Sequence, residues 1–392
     1  MESKIDQNIE PKTILQILPS LESGGVERGT IDIAKALKKE GFLPIVVSSG
    51  GILTYDLKEA NILHITMNVK TKNPLTIFFN IGKLQDIINE YKVNIVHVRS
   101  RAPMWSAYFA CKKTSASLVS TIHGTYSLNF LGWQKFALKK YYNAIMLKAN
   151  SIIVVSNYIK NYLIENYGNF FADKINIIQR GVDLNYFNKE KVSKNRVIDL
   201  IKNWNLPEDK KIILMPARFT SWKGHEFLID ALTKVKNDFF CVMLGSDHGH
   251  KKFRKKVEQK IIKENLAGRV RLVGPCRDMP SAYNLSHFVV APSLRPEAFG
   301  RIAIEAQASS KIIVATKIGG ALETIIDGKT GFLVDPFDHN ELAMVIDKIL
   351  EMPKDEADKI GANGRINTEE NFSNNLMCQK TIEIYKKIIT KS

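Results

Sequence analysis

The sequence is short of cysteine: Cys111, Cys241, Cys276 and Cys378 stand far apart in 392 residues and form no CxxC pair. That excludes a disulfide scaffold and a cysteine-based zinc site, and fits a reducing compartment. No apolar run approaches the roughly 18 residues of a membrane span. The leading "MESKIDQNIEPK" also lacks the apolar core of a secretory signal, so any meeting with a membrane is expected at its cytoplasmic surface. Pro/Gly-rich tracts and repeats of solenoid period are absent, which removes disordered and repeat architectures. Two phosphate-binding signatures are missing as well: GxGxxG cannot be laid over Gly24, Gly25 and Gly29, and GxxxxGK[ST] does not occur. Hydride-transfer and P-loop chemistry therefore lose their usual anchors. The most local absence is of acid. From Tyr91 to Ile164 there is no Asp or Glu against ten Lys and Arg, in a chain of net charge +16. Such a segment presents a basic surface, either merely solvated or suited to nucleic acid, anionic lipid or a phosphorylated substrate. Nucleic acid is set aside, because no reading helix or RNP-like strand accompanies the charge.

What is present is globular. Hydrophobic residues make up 45% and charged residues 24%. The length exceeds what one core supports, so two domains are expected. Short β-branched runs alternate with helical patterns in "TILQILP", "PIVVSS", "NIVHVRS", "SLVSTIHG", "SIIVVS" and "INIIQRGVD". A polar stretch follows, and the pattern restarts with "KIILMPAR", "FFCVMLGS", "RVRLVG", "HFVVAPS", "KIIVAT" and "GFLVDP". Alternation of this kind predicts parallel strands joined by helical crossovers. The expected fold is α/β, two Rossmann-like doubly wound domains facing each other across a cleft, with the ligand at the carboxyl ends of the strands. The boundaries drawn are a domain over 1–184, a linker over 185–207 and a domain over 208–370. Residues 371–392 form a helix expected to pack back on the first domain.

Five strand ends carry chemistry. In "LPSLESGGVERG" a strand runs into Gly24 and Gly25 at a helix start, which is either a plain tight turn or a place where an anion approaches the backbone. In "ARFTSWKG", Arg218 ends a strand and Lys223 stands five residues on, so two cations can reach one diphosphate, the first as a fork and the second as a point charge. In "LRPEAFGRIAIEAQ", Glu297 lies in a loop and Glu305 in a helix, eight residues apart. A helical rise over that interval is roughly 12 Å. That is too far for a glycosidase pair at roughly 5 to 10 Å. The two carboxylates read either as separate grips on one elongated ligand or as ordinary helix-end and surface glutamates. A fourth loop repeats the Gly-Gly theme at Gly319 and Gly320, with Glu323 just beyond. "STIHG" places His123 and Gly124 at a strand's carboxyl end.

Together, the Gly-Gly turn, "HG", "RGVD", "ARFTSWKG" and "RPEAFGRIAIEA" followed by "GG..E" resemble retaining glycosyltransferases of family 4, with the GT-B fold, over nearly the whole chain. The segments "RSRAPMWSAY", "IQRGVDLNYF" and "RPEAFGRIAIEAQA" are most similar to bacterial members assigned to lipopolysaccharide and other envelope glycans. One departure is Arg180, where many relatives have asparagine before "GVD".

The resemblance implies that the first domain binds a glycan or lipid-linked acceptor and the second a nucleotide-sugar donor. Arg218 and Lys223 would hold the donor diphosphate, Glu305 the ribose and Glu297 the sugar, with Ala298, Phe299 and Gly300 offering backbone N–H groups. His123 would face the sugar from the first domain, and Gly24 and Gly25 would admit the phosphates. No cofactor or metal is expected, since no DxD-like cluster stands in a donor loop. In "FLGWQKFALKKYYNAIMLK", Trp133, Lys135, Lys139 and Lys140 would meet the acceptor or an anionic membrane surface. The protein would then be cytoplasmic and peripheral on the inner face of that membrane. The competing reading is a catalytically silent nucleotide-sugar binder of the same fold.

Overall fold

The structure is a computed structural model that describes residues 11–22, 24–125, 133–247 and 249–391, with only the backbone of 133–137 described. The chain divides into two compact units, 1–179 with 374–392, and 180–373.

The first unit holds a parallel sheet of seven strands: β1 (Thr13–Ile17), β2 (Leu43–Ser48), β3 (Leu63–Thr66), β4 (Val93–Val98), β5 (Ser117–Ile122), β6 (Ser151–Val154) and β7 (Ile175–Ile177). The order is β3-β2-β1-β4-β5-β6-β7. All five residues of β1 are buried, as expected of a strand covered by helices on both faces. The helix Asn374–Ile389 belongs to this unit, and it brings Met377, Ile382 and Tyr385 into a core with Ile14, Ile33 and Ile95. A buried polar contact fixes it further. His97 Nδ1 meets the Tyr385 hydroxyl, and its Nε2 lies 2.6 Å from Thr121 Oγ1. Burial, with Arg99 nearby, holds the His97 imidazole far below its ordinary pKa, so it sits there neutral.

The second unit holds six parallel strands: β8 (Ile212–Pro216), β9 (Phe240–Leu244), β10 (Val270–Val273), β11 (Phe288–Ala291), β12 (Ile312–Thr316) and β13 (Phe332–Val334). Their order is β10-β9-β8-β11-β12-β13. Chain order runs outward from β8 to β10, then resumes at β11 on the other side of β8. The loops after β8 and β11 therefore flank a topological switch point, the place where open α/β sheets hold ligands.

Residues 185–207 are part of this unit and carry a helix, Lys194–Asn203. Its Arg196 pairs with Asp278. Both chain crossings are tied down inside the second unit: Val182 N–H donates to Phe372 O at 2.8 Å, and Arg365 Nη1 donates to Phe187 O at 2.8 Å. Among the described residues no helix is long and apolar enough to cross a membrane.

Candidate active site

At the switch point of the second sheet a glycine decides what can meet. Gly224, just past the 3₁₀ turn Ser221–Lys223, has φ +81°, and a Cβ there would lie 1.8 Å from Pro292 O. No other residue lets the loop after β8 press so closely on the end of β11. Leu294 N–H donates to Trp222 O at 2.7 Å and closes the contact.

Lys223 is thereby carried to Glu297. Its Nζ donates to Glu297 Oε1 at 2.6 Å, and Ser293 Oγ donates to the same oxygen at 2.6 Å. Lys223 is buried, and its ammonium lies 4.4 Å from the centre of the Trp222 ring. Glu297 Oε2 makes no hydrogen bond among the described residues.

The loop bearing Glu297 is seated from the other side by the second Gly-Gly pair. A Cβ on Gly319, at φ +58°, would lie 2.6 Å from Glu297 O, and one on Gly320 would lie 2.4 Å from Phe299 Cα. Gly320 N–H donates to Glu297 O at 2.9 Å. In sequence Gly319 and Gly320 repeat the Gly-Gly theme; here they make room for the backbone of Glu297 to Phe299. Phe299 is buried edge-on against Phe372, 5.7 Å between centroids, and its neighbours Ala298 and Gly300 are half-buried.

Gly300, at φ +84°, starts the helix Arg301–Ala308. Glu305 is therefore one turn into that helix, because half of the interval from Glu297 is loop; the helical spacing of roughly 12 Å does not apply. Its Oε1 accepts from Arg301 Nη2 at 2.7 Å and its Oε2 from the Tyr283 hydroxyl at 3.1 Å. Arg218 follows β8 by two residues and is exposed; its carbonyl accepts from Thr220 N–H at 2.8 Å, and among the described residues its side chain makes no hydrogen bond or ion pair. His225, next to Gly224, is a core residue, stacked on Phe219 at 4.7 Å. Burial lowers its pKa to about 4.

In the first unit, Gly24 caps the helix Gly25–Lys39 in an extended conformation, φ 162°. A Cβ there would meet only the flexible Glu27 carboxylate, so sterics do not demand this glycine. The close approach is made instead by Gly51, at φ +139°, where a Cβ would lie 2.4 Å from the Leu21 carbonyl carbon. His123 follows β5 directly and is half-buried, and Arg180 is half-buried where the second unit begins. The structure thus gathers Lys223, Glu297 and Ser293 in one cluster and Glu305, Arg301 and Tyr283 in another. Gly24, Gly25 and His123 belong to the other unit.

The basic segment is mixed in character. Ile145, Met146 and Leu147 are core, and Tyr142 stacks on Trp105 at 5.7 Å, while Leu138 and Tyr141 are exposed. Lys139 and Lys140 are half-buried, with Lys140 Nζ 5.7 Å from the Tyr167 ring centre. The side chains of Trp133 and Lys135 lie outside the described ones. Ser293, Arg301 and Tyr283 were not singled out from sequence. Ser293 alone had a signal there, as a polar residue at the carboxyl end of an apolar strand.

Residues 23–186 match the family described as Glycosyltransferase Family 4, and residues 197–367 the family described as Glycosyl transferases group 1. A crystal structure of a glycosyltransferase from Rickettsia africae is 44% identical and superposes with a TM-score of 0.89, covering 98% of this chain and 100% of that one. This chain is a member of the glycosyltransferases. The capsular polysaccharide biosynthesis glycosyltransferase CapM of Staphylococcus aureus is 25% identical over 93% of this glycosyltransferase and 94% of CapM. Anabaena HepE in complex with UDP-glucose is similar in fold, with a TM-score of 0.81 at 24% identity over 96% of this chain and 99% of that one. The fold of this glycosyltransferase is GT-B, built from two Rossmann-like parallel-sheet domains. Its second family match spans β8 to β13, and so contains both clusters.

Proposed function

We propose that this glycosyltransferase moves a sugar from a nucleoside-diphosphate donor to a glycan or lipid-linked acceptor with retention at the anomeric carbon. The observation that carries the reading is the Lys223–Glu297–Ser293 cluster at the switch point of the second sheet. Lys223 has three N–H donors and gives one to Glu297, leaving others for phosphate oxygens. Glu297 keeps Oε2 for hydroxyls of the donor sugar. Arg218, exposed on the same loop and with no side-chain partner among the described residues, reaches the diphosphate as a second cation. Glu305 takes the ribose hydroxyls, and the backbone at Ala298 to Gly300 meets phosphate oxygens. The donor complex of the similarly folded Anabaena protein supports a nucleotide sugar as the ligand of this fold.

In the reaction the bond from the anomeric carbon to the phosphate oxygen breaks, and its electron pair leaves with the diphosphate. The acceptor oxygen bonds to the anomeric carbon on the same face, and its proton passes to the departing phosphate oxygen. Preorganised cations lower this barrier because negative charge grows where Lys223 and Arg218 stand. His123, at the end of β5, is assigned to the donor sugar, and Gly24 and Gly25 to the approach of the phosphates. Charge neutralisation by these side chains is the reading under which no metal ion is required.

CapM supports a place in envelope-glycan synthesis. The location read for it is cytoplasmic and membrane-apposed; the exposed Leu138 and Tyr141 next to Lys139 and Lys140 in sequence, and the exposed Leu75, Phe78 and Phe79 on another helix, support the membrane contact. Thermal stabilisation by UDP, GDP or ADP tests the donor reading. One nucleotide is expected to raise the melting temperature in the presence of EDTA, and less so in Lys223→Ala. No stabilisation of the folded protein by any of the three would refute it.

A further inference from the structure

The Glu305 carboxylate is held at both of its oxygens. Tyr283 lies fully buried on the helix Met279–Leu285, its ring edge-on to Phe187 at 5.8 Å. The only polar atom of its side chain is spent on Glu305 Oε2, while Arg301, one helical turn before Glu305, takes Oε1. A glutamate's terminal torsion is broad and two-fold, so a carboxylate held at one oxygen alone still turns. The Arg301 side chain is 37% exposed and makes a loose tether; the Tyr283 hydroxyl comes from a packed core and makes a fixed one. Burial, and then the charge of Glu305, push the Tyr283 phenol well above its ordinary pKa, so it stays an O–H donor. Each carboxylate oxygen has two lone pairs, and one on each remains after these two bonds.

We propose that Tyr283 is a positioning residue for ribose recognition: it locks the Glu305 carboxylate in the one rotation whose remaining lone pairs accept from the vicinal 2′ and 3′ hydroxyls of the donor. The inference rests on the reading of Glu305 as the ribose grip and extends it to a residue that touches no ligand. Its consequence is selectivity for ribonucleotides. A 2′-deoxy ligand forfeits one charge-assisted bond only if the acceptor is held in place.

The test is calorimetric titration of the full chain with UDP, GDP and ADP and with their 2′-deoxy counterparts. The wild type is expected to prefer the ribo form of its nucleotide by about 10-fold, the scale of one hydrogen bond to a charged group. Tyr283→Phe, which keeps the ring and removes one oxygen, is expected to shrink that ratio to about 3-fold or less, and Glu305→Ala to abolish it. A merely loosened fold weakens both ligands alike and leaves the ratio intact, so the ratio reports positioning alone. Melting curves check that each variant is folded, and Tyr283→Met, also without a hydroxyl, serves as the second variant. A wild type that binds none of the nucleotides, or does not discriminate, overturns the ribose grip and this inference with it. A ratio kept in folded Tyr283→Phe or Tyr283→Met but lost in Glu305→Ala overturns the role of Tyr283 and leaves the grip standing.

Discussion

Replacing Lys223 with alanine separates stability from catalysis at the centre of the proposed site. The side chains of Lys223 and Glu297 are 9% and 22% exposed and meet at 2.6 Å. Removing one partner of a fully buried pair costs roughly 3 to 5 kcal/mol. Here Glu297 keeps part of its solvent and the Ser293 hydroxyl, so the expected loss is smaller, about 1 to 3 kcal/mol. In a domain of this size that lowers the melting midpoint by roughly 2 to 4 °C for each kcal/mol. The double variant Lys223→Ala/Glu297→Ala leaves no uncompensated charge, and its loss should fall short of the sum of the singles by about 1 to 2 kcal/mol. Turnover should behave differently. Each single variant is expected to lose ~100-fold or more, the scale of one charge-stabilising contact in a preorganised site. Urea unfolding of the three variants gives the coupling, and initial rates of sugar transfer give the catalytic loss. Near-normal transfer by either single variant would refute the roles assigned, and strictly additive unfolding energies would refute the geometry.

Gly224→Ala should cost more than about 3 kcal/mol, since its Cβ would fall 1.8 Å from Pro292 O on top of a left-handed backbone. Gly41→Ala, at φ +80° with nothing within 4 Å, should cost only about 1 to 2 kcal/mol; equal losses in urea melts would contradict the close-approach argument. His225 has a folded pKa of about 4, below its ordinary value, so the unfolded chain binds the extra proton and stability falls as pH drops through the window from about 6.5 to about 4. The sum is about 3 kcal/mol, and unfolding of His225→Leu should lack that share of the pH slope. Tyr385→Phe strips the His97 imidazole of a buried partner and should destabilise the first unit by about 1 to 3 kcal/mol, readable by hydrogen exchange in β4. Phe78→Ser with Phe79→Ser should weaken co-sedimentation with vesicles containing anionic lipid, and unchanged binding would remove the membrane-apposed reading.

Twelve apolar runs quoted from the sequence each coincide with one of the strands to within a residue at its start. The central ones were legible because a parallel strand covered on both faces is apolar throughout, while the edge strands β7 and β10 showed only as short β-branched runs. β3 was passed over because "LHIT", an edge strand with none of its four residues buried, is broken by His64 and carries no β-branched run. Gly-Gly turns were visible too, but not their meaning, because close approach depends on what lies opposite. Gly24 proved free of that demand, while Gly51, Gly224 and Gly319 meet backbone atoms from distant segments.

By itself the sequence determined the two α/β units, the strand ends that carry polar side chains and the residue types offered there, because all of these are encoded by local pattern. Tertiary structure alone decided the partners. Lys223 and Glu297 are 74 residues apart, and Tyr385 reaches His97 across 288. Neither spacing has a period that a sequence could display. The pairings arise from strand order, which sets β8 beside β11, and from a glycine without a Cβ, which lets the two loops touch.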